Sequence, residues 1–453
     1  MRWVAVIDIG KTNAKVAVVD LALGVEVAVL TQPNVVVRDG NYPHFDTDTL
    51  WRFVRAGLRQ LGQDRVIEGI SVTTHGACAA LLSADGGLAC AVLDYEHDGP
   101  NGVRAAYEAL RPDFAVTGSP TLPRGLNLGA QLHWLLRRDA GLRARVAQVV
   151  TWPQYWGFLL TGKVACDLCS LGCHTDLWEP AAGQFSPLVQ ALGLEGTFAP
   201  ARKPAEVLGH LTADLQAELG MGAVPVLVGI HDSNASLYPH LLAREGAFSV
   251  VSTGTWVIAM AVDGAPVVLN PARDLLMNVN ALGDAVPSAR FMGGREFEVV
   301  RAGRRGGAAQ GDAEGVLARG VMLWPSVVPD SGPFQGRAHG WSHEGRTEGE
   351  TEVALGYYLA LMTAECLEAI GARGPVLVEG PFGENPWYCK MLAAATGREV
   401  ERSGAQTGTA IGAAMLFSGQ HAGFGAVTTV AVDAALVGYA DAWRRAVRGI
   451  GAG

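Results

Sequence analysis

The sequence predicts a mixed α/β protein that contains two copies of one fold. A strand, a glycine turn and a second strand occur over residues 3–19, and the same pattern returns over residues 246–262. Helix and strand patterns follow each copy, in an order that is not a simple βαβ repeat. The chain has 453 residues, which is too many for one ordinary core. These observations together favour a duplicated fold with two domains.

The first copy begins with three strands, a helix and a fourth strand. Apolar runs predict the strands, and a tight glycine turn at residues 10–13 separates the first two. Thr47-Asp48-Thr49 precede apolar residues at helical spacing, which predicts a capped helix. The predicted strands span residues 3–9, 15–19, 25–30 and 67–73, and the helix runs through Leu50, Phe53, Val54, Leu58 and Leu61.

The second copy repeats the strand, turn and strand and then adds helices around a buried strand. We place the boundary near residue 240, in a predicted loop over residues 240–245, which gives domains 1–240 and 241–453. The predicted strands span residues 246–252, 256–262 and 375–379, and the predicted helices span residues 352–371 and 385–396.

Composition excludes several classes of protein. The formal net charge of −9 argues against a nucleic-acid surface. No run of 18 apolar residues occurs, and Asp8 interrupts the apolar start, so we expect neither a membrane span nor a signal peptide. The odd number of cysteines, seven, is typical of a cytoplasmic protein. A homodimer is the default expectation.

Asp8-Ile9-Gly10-Lys11-Thr12-Asn13 forms the first of two candidate phosphate turns. Gly10 lets the backbone approach a phosphate, and Thr12, Asn13 and nearby N–H groups can donate to it. Lys11 can add positive charge toward a transferred phosphoryl group. Asp8 is placed to hold Mg²⁺ through water, because Mg²⁺ keeps much of its hydration. The alternative is an ordinary hairpin turn.

Ser252-Thr253-Gly254-Thr255 forms the second candidate phosphate turn. Its place in the second copy matches that of the first turn in the first copy, so the pair is a stronger signal than either turn alone. The loop over residues 379–385 follows a buried strand, and its glycines leave room for a flat adenine. The ATP-binding residues predicted in this half are therefore Thr253, Gly254, Thr255, Gly380, Gly383 and Asn385.

Asp232 is the candidate general base. Residues 226–228 form a buried strand, Asp232 lies at its exit, and a helix begins at residues 234–236. Phosphoryl transfer needs positioning, charge neutralisation and an acceptor for the hydroxyl proton. Asp232 also serves as a second predicted Mg²⁺ ligand beside Asp8. A helix cap is the alternative role of this residue, and both roles can coexist. The two turns and this aspartate predict an ATP-dependent kinase.

With these motifs, the chain resembles the FGGY carbohydrate kinases of the sugar kinase, Hsp70 and actin superfamily. An Asp-x-Gly turn, a Ser-x-Gly-Thr turn and a Gly-x-x-Asp base are typical of that family. They occur here at residues 8–13, 252–255 and 229–232, and the resemblance covers roughly residues 3–418. It implies two duplicated ribonuclease H-like domains of the actin-like ATPase type, with an interdomain cleft. ATP and Mg²⁺ are the cofactors that it implies.

The sugar side departs from several branches of the family. The adenine loop reads Gly380-Pro381 in place of two glycines, so one backbone donor is missing. The pocket motifs read His75-Gly76-Ala77 and Asp94-Tyr95-Glu96, which argues against a glycerol or xylulose kinase. Gly76, and His231 directly before the base, are similar to the rhamnulose-kinase branch.

The resemblance therefore implies a ketose as the substrate. A 6-deoxy-ketohexose such as L-rhamnulose or L-fuculose fits, and a pentulose is the other option. Sugar hydroxyls need convergent polar partners, and such groups lie at predicted strand exits. The predicted sugar-binding residues are His75, Gly76, Asp94, Glu96 and His231.

Three other interpretations stay open at this point. Cys166, Cys169, Cys173 and His174 could form a zinc site, although only the first spacing is a standard one. The chain could be a non-catalytic nucleotide-binding protein like actin or Hsp70, against which Asp232 argues. It could also phosphorylate a carboxylate, but that chemistry favours a pocket arginine, and the motifs at residues 75–77 and 94–96 contain none.

Overall fold

A computed structural model describes residues 2–304, 306–403, 408–419 and 427–450. These residues form two compact units. The first unit contains the described residues of 2–244, 277–285 and 408–419. The second contains the described residues of 245–276, 286–403 and 427–450. Two segments of the second half of the sequence therefore belong to the first unit.

The first unit is built on a sheet whose central strand is Trp3–Ile9. This strand pairs antiparallel with Asn13–Asp20 and parallel with Ile67–Thr74. The sheet continues through Val25–Pro33 on the antiparallel side, and on the other side through Pro225–Leu227 and then Val207–His210. The short strand Ile230–His231 also pairs parallel with Ile67–Thr74. The carboxyl ends of three parallel strands consequently meet at one edge of this sheet.

The second unit has a sheet with the same arrangement. Its central strand, Phe248–Thr253, pairs antiparallel with Val257–Val262 and parallel with Val376–Glu379. Ala285–Phe291 continues the antiparallel side, and Val400–Ser403 continues the parallel side. Leu275–Val279 and Val427–Val430 are the outermost strands, although residues 277–279 and 285 are counted with the first unit above. The repeated order confirms the predicted α/β duplication.

Helices and short strand pairs complete both units. The helices of the first unit are Thr47–Gly62, Gly99–Val103, Arg104–Glu108, Phe114–Thr117, Leu128–Arg138, Leu142–Arg145, Trp152–Thr161, Leu168–Leu171, Leu188–Ala191, Ala213–Leu219, Asp232–Ala243 and Thr409–Met415. Its short strands are Val36–Val37, His44–Phe45, Ala79–Leu82, Gln148–Thr151, Cys166–Asp167, Trp178–Glu179, Gln184–Phe185 and Ala201–Arg202. The helices of the second unit are Pro271–Arg273, Gly293–Arg301, Gln310–Arg319, Glu348–Ala369, Pro381–Glu384, Pro386–Thr396 and Ala434–Ile450, and its short strands are Leu323–Trp324 and Gly340–Trp341.

The predicted elements are present, but some of their ends differ. The first helix is capped by Asp46, whose Oδ1 accepts from the Thr49 amide at 2.9 Å, rather than by Thr47-Asp48-Thr49. The long helix begins at Glu348, four residues earlier than predicted. A reciprocal capping box fixes that start, because Thr347 Oγ1 accepts from the Glu350 amide and the Glu350 carboxylate accepts from the Thr347 amide.

The predicted loop over residues 240–245 is wrong. The helix Asp232–Ala243 continues through most of it, and the helix contains Pro239. Leu241, Leu242 and Ala243 are good helix formers, and Leu241 and Leu242 pack against a buried apolar cluster of the first unit, so the helix continues beyond Pro239.

No helix in the described part of the chain combines the length and apolar character that crossing a membrane requires.

Candidate active site

Polar residues of the first unit converge where its parallel strands end. Asp8 is paired with Thr73 across the central strands, and His231 with Thr74. The amide of His75 donates to the carbonyl of Ile9 at 3.0 Å, which holds the loop after one strand against the end of the other. The structure thus brings the predicted residues Asp8, His75, Gly76, His231 and Asp232 together.

Asp232 is the first residue of its helix. Its Oδ1 accepts from the Ser233 amide at 2.6 Å and lies 3.2 Å from His231 Nε2. Its side chain is 31% exposed, and Oδ2 has no partner among the described residues. One oxygen is therefore held in place while the other is available to a ligand, which is the arrangement that a general base needs.

His231 is buried, and its Nε2 has two close neighbours, Asp232 and the Sγ of Cys173, which lies 4.0 Å away. A β-carbon added at Gly76 would lie 2.7 Å from the same nitrogen. Burial opposes the charged form, but Cys173 and Asp232 outweigh it and raise the pKa of His231 to about 10. Gly76 is thus needed for space, and His231 is a cation beside the candidate base.

His75 is buried in an aromatic cluster. Its ring centroid lies 5.1 Å from Phe45 and 5.4 Å from Tyr95. Nδ1 is 2.8 Å from the Gly76 carbonyl, and Nε2 has no partner among the described residues. Burial lowers the pKa of His75 to about 4, so the ring is neutral at pH 7. Nδ1 then carries the hydrogen and Nε2 is an acceptor, which suits a sugar hydroxyl.

Asp8 is held by groups that the sequence did not reveal. Its Oδ2 accepts from the Thr409 hydroxyl at 2.7 Å and lies 3.6 Å from Lys15 Nζ. Burial raises the pKa of Asp8 and the Asp232 carboxylate adds to the rise, while Thr409 and Lys15 oppose it. Two carboxylates close enough to repel each other favour a bound cation.

Thr409 reaches Asp8 because its helix packs against the helix of the base. A β-carbon at Gly412 would overlap the backbone carbonyl of Ala235, so only glycine permits this approach. Thr409 and Asp8 are 401 residues apart in the chain. The glycines at 408 and 412 were the only local signal for this contact, and they do not indicate a partner.

Several backbone groups of the turn over residues 10–13 are already hydrogen-bonded within the protein. The Gly10 amide donates to the Asn13 carbonyl at 2.9 Å. Asn34 donates two hydrogen bonds to the turn. Its side-chain Nδ2 donates to the Gly10 carbonyl, and its backbone N–H donates to the Thr12 carbonyl, each at 2.8 Å. The residues Thr12 and Asn13 are exposed. Their side chains are the groups of this turn that remain available to a phosphate.

Lys11 lies among the predicted sugar-binding residues. Its Nζ forms an ion pair with Asp94 and lies 3.5 Å from a carboxylate oxygen of Glu96. The ammonium group also sits over the rings of Phe45 and Tyr95, at 5.0 and 4.8 Å from their centroids. The sequence assigned Lys11 to the phosphoryl group, whereas the structure places it on the two carboxylates assigned to the sugar.

In the second unit, the turn at residues 252–255 lies against the predicted adenine loop. Thr253 Oγ1 donates to the Glu379 carbonyl at 2.6 Å and accepts from the Phe382 amide at 3.1 Å. Gly380 has a φ of +84°, and a β-carbon there would overlap the Thr253 carbonyl. Gly254 and Thr255 are exposed. The two predicted parts of the nucleotide site therefore form one continuous surface.

The other two residues of that loop have structural roles. Gly383 is buried, and its amide donates to the Gly380 carbonyl at 3.0 Å. Asn385 Oδ1 caps the helix Pro386–Thr396 by accepting from Trp387 and Tyr388. These hydrogen bonds stabilise the conformation of the loop. Either residue could bind nucleotide only in addition to this structural role.

The three clustered cysteines are buried and form no disulfide. Cys173 lies against His231, as described above, and His174 Nδ1 lies 2.7 Å from the Leu126 carbonyl. Among the described residues, no group of three or more histidine, cysteine or acidic side chains has the arrangement of a metal site. The zinc interpretation of this cluster therefore has no support in the structure.

Family models match both halves of the chain. The model of the FGGY family of carbohydrate kinases, N-terminal domain, matches residues 3–238. The model of the carbohydrate kinase FGGY, C-terminal domain, matches residues 245–424. The fold thus belongs to the class of sugar kinases with two duplicated domains, and the chain is a member of the FGGY family of carbohydrate kinases.

Solved structures extend the similarity over the whole chain. A carbohydrate kinase from Novosphingobium aromaticivorans is 34% identical, with a TM-score of 0.91, and the match covers 98% of this chain and 100% of that one. A xylulose kinase from Rhodospirillum rubrum has a TM-score of 0.80 at 20% identity, with 99% and 98% covered, which shows a shared fold.

Curated relatives match a smaller share of the chain. A rhamnulokinase from Bacteroides thetaiotaomicron is 26% identical over 245 residues, which are 52% of this chain and 49% of the relative. An L-fuculokinase from Salmonella typhi is 26% identical over 270 residues, which are 58% of this chain and 57% of the relative. The chain spans about half the length of the curated relatives it matches.

Proposed function

We propose that this protein transfers the γ-phosphoryl group of ATP to a hydroxyl of a neutral ketose, with Asp232 as the general base. The observation that carries the proposal is the state of the Asp232 carboxylate. One oxygen is fixed by the Ser233 amide and the other has no partner among the described residues, at an edge where strand ends collect polar groups. Membership of the FGGY family supports a sugar as the acceptor.

Asp232 would accept the hydroxyl proton on Oδ2 as the phosphoryl group is transferred. Phosphoryl transfer depends mainly on positioning and charge neutralisation, and a positioned base adds roughly 10²–10⁴ to the rate. His231 assists by fixing the orientation of Oδ1, since its Nε2 lies 3.2 Å away. The buried neutral ring of His75 supplies an acceptor for another sugar hydroxyl.

The sugar side of the first unit suits an uncharged substrate. The charge of Lys11 is matched by Asp94 and Glu96, so the ammonium is not available to attract an acid sugar. Carboxylates and an ammonium held together can still accept from and donate to hydroxyls. We assign sugar binding to His75, Gly76, Asp94, Glu96 and His231, with Lys11 added to this group.

Mg²⁺ has fitting donors in the first unit, and each of the two units offers donors that fit a part of ATP. Asp8 and Asp232 offer hard carboxylate oxygens, and the rise in the pKa of Asp8 caused by burial and by Asp232 supports a cation between them. Mg²⁺, when bound with ATP, neutralises charge that develops on the phosphates. We assign phosphate contacts to Gly10, Thr12 and Asn13 in the first unit. In the second unit we assign nucleotide contacts to Thr253, Gly254, Thr255, Gly380, Gly383 and Asn385.

The particular sugar is the finer part of the proposal. The curated relatives carry the names rhamnulokinase, L-fuculokinase and probable L-xylulose kinase. His231 before the base and Gly76 support a 6-deoxy-ketohexose such as L-rhamnulose or L-fuculose, with a pentulose as the alternative. A cytoplasmic location, a homodimer and a domain boundary near residue 240 stay predictions from the sequence.

The test is sugar-dependent release of ADP from ATP and Mg²⁺, measured over a panel of ketoses, polyols and aldoses. Asp232→Asn should lower kcat by about 10²-fold or more, with ATP affinity retained. Asp214→Asn is the matched control, because Asp214 is also an acidic residue in the first turn of a first-unit helix, and it is exposed there. Its turnover should equal that of the wild type.

Two other outcomes would contradict this proposal. Full turnover by Asp232→Asn would remove this residue as the base. ATP binding with no sugar-dependent turnover by the wild type would favour a nucleotide-binding protein without kinase activity.

A further inference from the structure

The first unit contains a cavity of about 720 Å³ that the proposed kinase chemistry does not use. Small-molecule sites usually occupy roughly 300–1,000 Å³. The residues around it come from the segments 41–44, 89–91 and 135–145, and none of the predicted site residues is among them. The cavity is therefore large enough for a small metabolite at a place separate from the candidate base.

The charges that line the cavity are unequal. Arg145 is paired with Asp139 at 2.6 Å, which accounts for the only carboxylate in the lining. Arg138 also lines the cavity and has no carboxylate partner among the described residues. One guanidinium is thus left without a counter-charge, and a guanidinium is the group that binds carboxylate or phosphate most effectively in proteins.

Arg138 is held in position before any ligand arrives. Its Nη2 donates to the Asn41 carbonyl at 2.8 Å, and its guanidinium lies 5.3 Å from the ring centroid of Trp134. These contacts occupy one of its five N–H groups and one face. Fixing the side chain in advance reduces the entropy that a ligand has to overcome. Leu135 and Leu142 add an apolar wall that suits a carbon skeleton.

The cavity shares a wall with the proposed sugar site. Residues 42–45 and 91–94 run antiparallel as one ribbon, joined by hydrogen bonds from Asp94 to Pro43 and from Phe45 to Val92, each at 3.0 Å. Tyr42 and His44 of this ribbon line the cavity, whereas Phe45 and Asp94 contact Lys11. A ligand that moves the cavity side of the ribbon would therefore also move the residues that contact Lys11 on its other side.

We propose that this cavity is a second binding site, which takes a small organic anion with a phosphate or carboxylate group on Arg138 and thereby changes the affinity for the sugar. The binding step is independent of the proposed function. The effect on sugar affinity rests on that function.

Cys90 allows binding to be measured without turnover. It lines the cavity and is partly exposed, whereas the other six cysteines are buried. Alkylation of Cys90 by N-ethylmaleimide, followed by peptide mass spectrometry, therefore reports on the cavity. The probes are fructose 1-phosphate and malate, with fructose as the uncharged counterpart of the first. Protection by one anion and not by the other identifies which anionic group the site prefers.

The expected result is saturable protection of Cys90 by an anion and none by fructose. Arg138→Gln should weaken this protection by about tenfold or more, since a charge-assisted hydrogen bond is lost. Arg137→Gln is the matched control, because Arg137 is the adjacent arginine of the same helix, is exposed as Arg138 is, and does not line the cavity. It should leave the protection unchanged.

Two outcomes would overturn the binding site: no protection by either anion at millimolar concentration, or equal protection in Arg138→Gln and wild type. The effect on the sugar is tested with whichever sugar the wild type phosphorylates. The protecting anion should shift its KM in the wild type and in Arg137→Gln but not in Arg138→Gln. An unchanged KM with Cys90 protected would refute the coupling and leave the proposed kinase activity untouched.

Discussion

Gly76→Ala should disable the site without disrupting the fold around it. The added β-carbon would lie 2.7 Å from His231 Nε2 and 3.0 Å from its Cδ2, whereas ordinary contacts begin near 3.4 Å. The imidazole therefore has to move by about 0.7 Å. Because His231 lies 3.2 Å from the Asp232 carboxylate, that displacement reaches the base. Gly76 does not have a positive φ, so the substitution tests space rather than backbone strain.

The magnitude follows from the size of the overlap. Adding a methyl group to a packed interior costs about 1–3 kcal/mol, so the variant should fold but melt at a lower temperature. A displacement of about 1 Å near reacting groups can lower a rate by about 10²-fold. We therefore expect kcat to fall by roughly 10–100-fold, measured as sugar-dependent ADP release, with circular dichroism melts run alongside.

A double-mutant cycle decides whether the imidazole is the cause. With the ring removed by His231→Ala, the further change Gly76→Ala should cost almost nothing. Gly102→Ala is the control for the substitution itself, because a β-carbon at that exposed glycine meets nothing within 4 Å. An equal loss of kcat from Gly76→Ala with and without the ring would refute the reasoning.

Three further predictions concern other parts of the two units. Lys11→Met leaves the buried Asp94 carboxylate, which is 4% exposed, without its partner, so the free energy of unfolding should fall by roughly 1–3 kcal/mol and the sugar KM should rise. Gly380→Ala places a β-carbon on the Thr253 carbonyl at a φ of +84°, so ADP affinity measured by calorimetry should fall by about tenfold or more. Burial raises the pKa of Glu296 from 4.5 to about 7, so the stability of the protein should decrease as pH rises from 4.5 to 7. Glu296→Gln should remove that decrease and melt at a higher temperature than the wild type at pH 8, by the equivalent of about 3 kcal/mol at most.

Matched variants make these predictions specific. Lys163→Met removes an exposed lysine of the first unit and should leave the sugar KM unchanged. Gly311→Ala adds a β-carbon that meets nothing within 4 Å in a second-unit helix and should leave ADP affinity unchanged. A Glu296→Gln variant that follows the wild-type melting temperature at every pH from 4.5 to 8 would show that burial does not shift this carboxyl group.

Local patterns in the sequence were sufficient for the central strands of both units and for several of their helices. The strand Trp3–Ile9 matches its predicted bounds, and the helix Pro386–Thr396 begins one residue after its predicted start. Apolar periodicity reports which side of an element is buried, and glycine reports where the backbone turns, so both signals are available without a structure. Because the same signals occur twice, the duplication was also predictable.

The partners of the functional side chains were decided by the tertiary structure. Three contacts join residues that are far apart in the chain. They are the hydrogen bond from Thr409 to Asp8, the contact of Cys173 with His231 and the ion pair of Lys11 with Asp94. A sequence pattern indicates that a polar residue lies at the end of a strand, but it does not indicate which groups face that residue across the fold.

Lys11 shows most clearly which properties of a residue its local sequence determines and which depend on the tertiary structure. The sequence determined that a lysine follows Gly10 in a turn at the end of the first strand, and this is where it lies. Whether its flexible side chain reaches a phosphate or a carboxylate depended on residues more than eighty positions away, since Asp94 and Glu96 lie within reach of its ammonium group. Local propensity sets the backbone position of such a residue, whereas the charge and burial of distant neighbours set what its side chain binds.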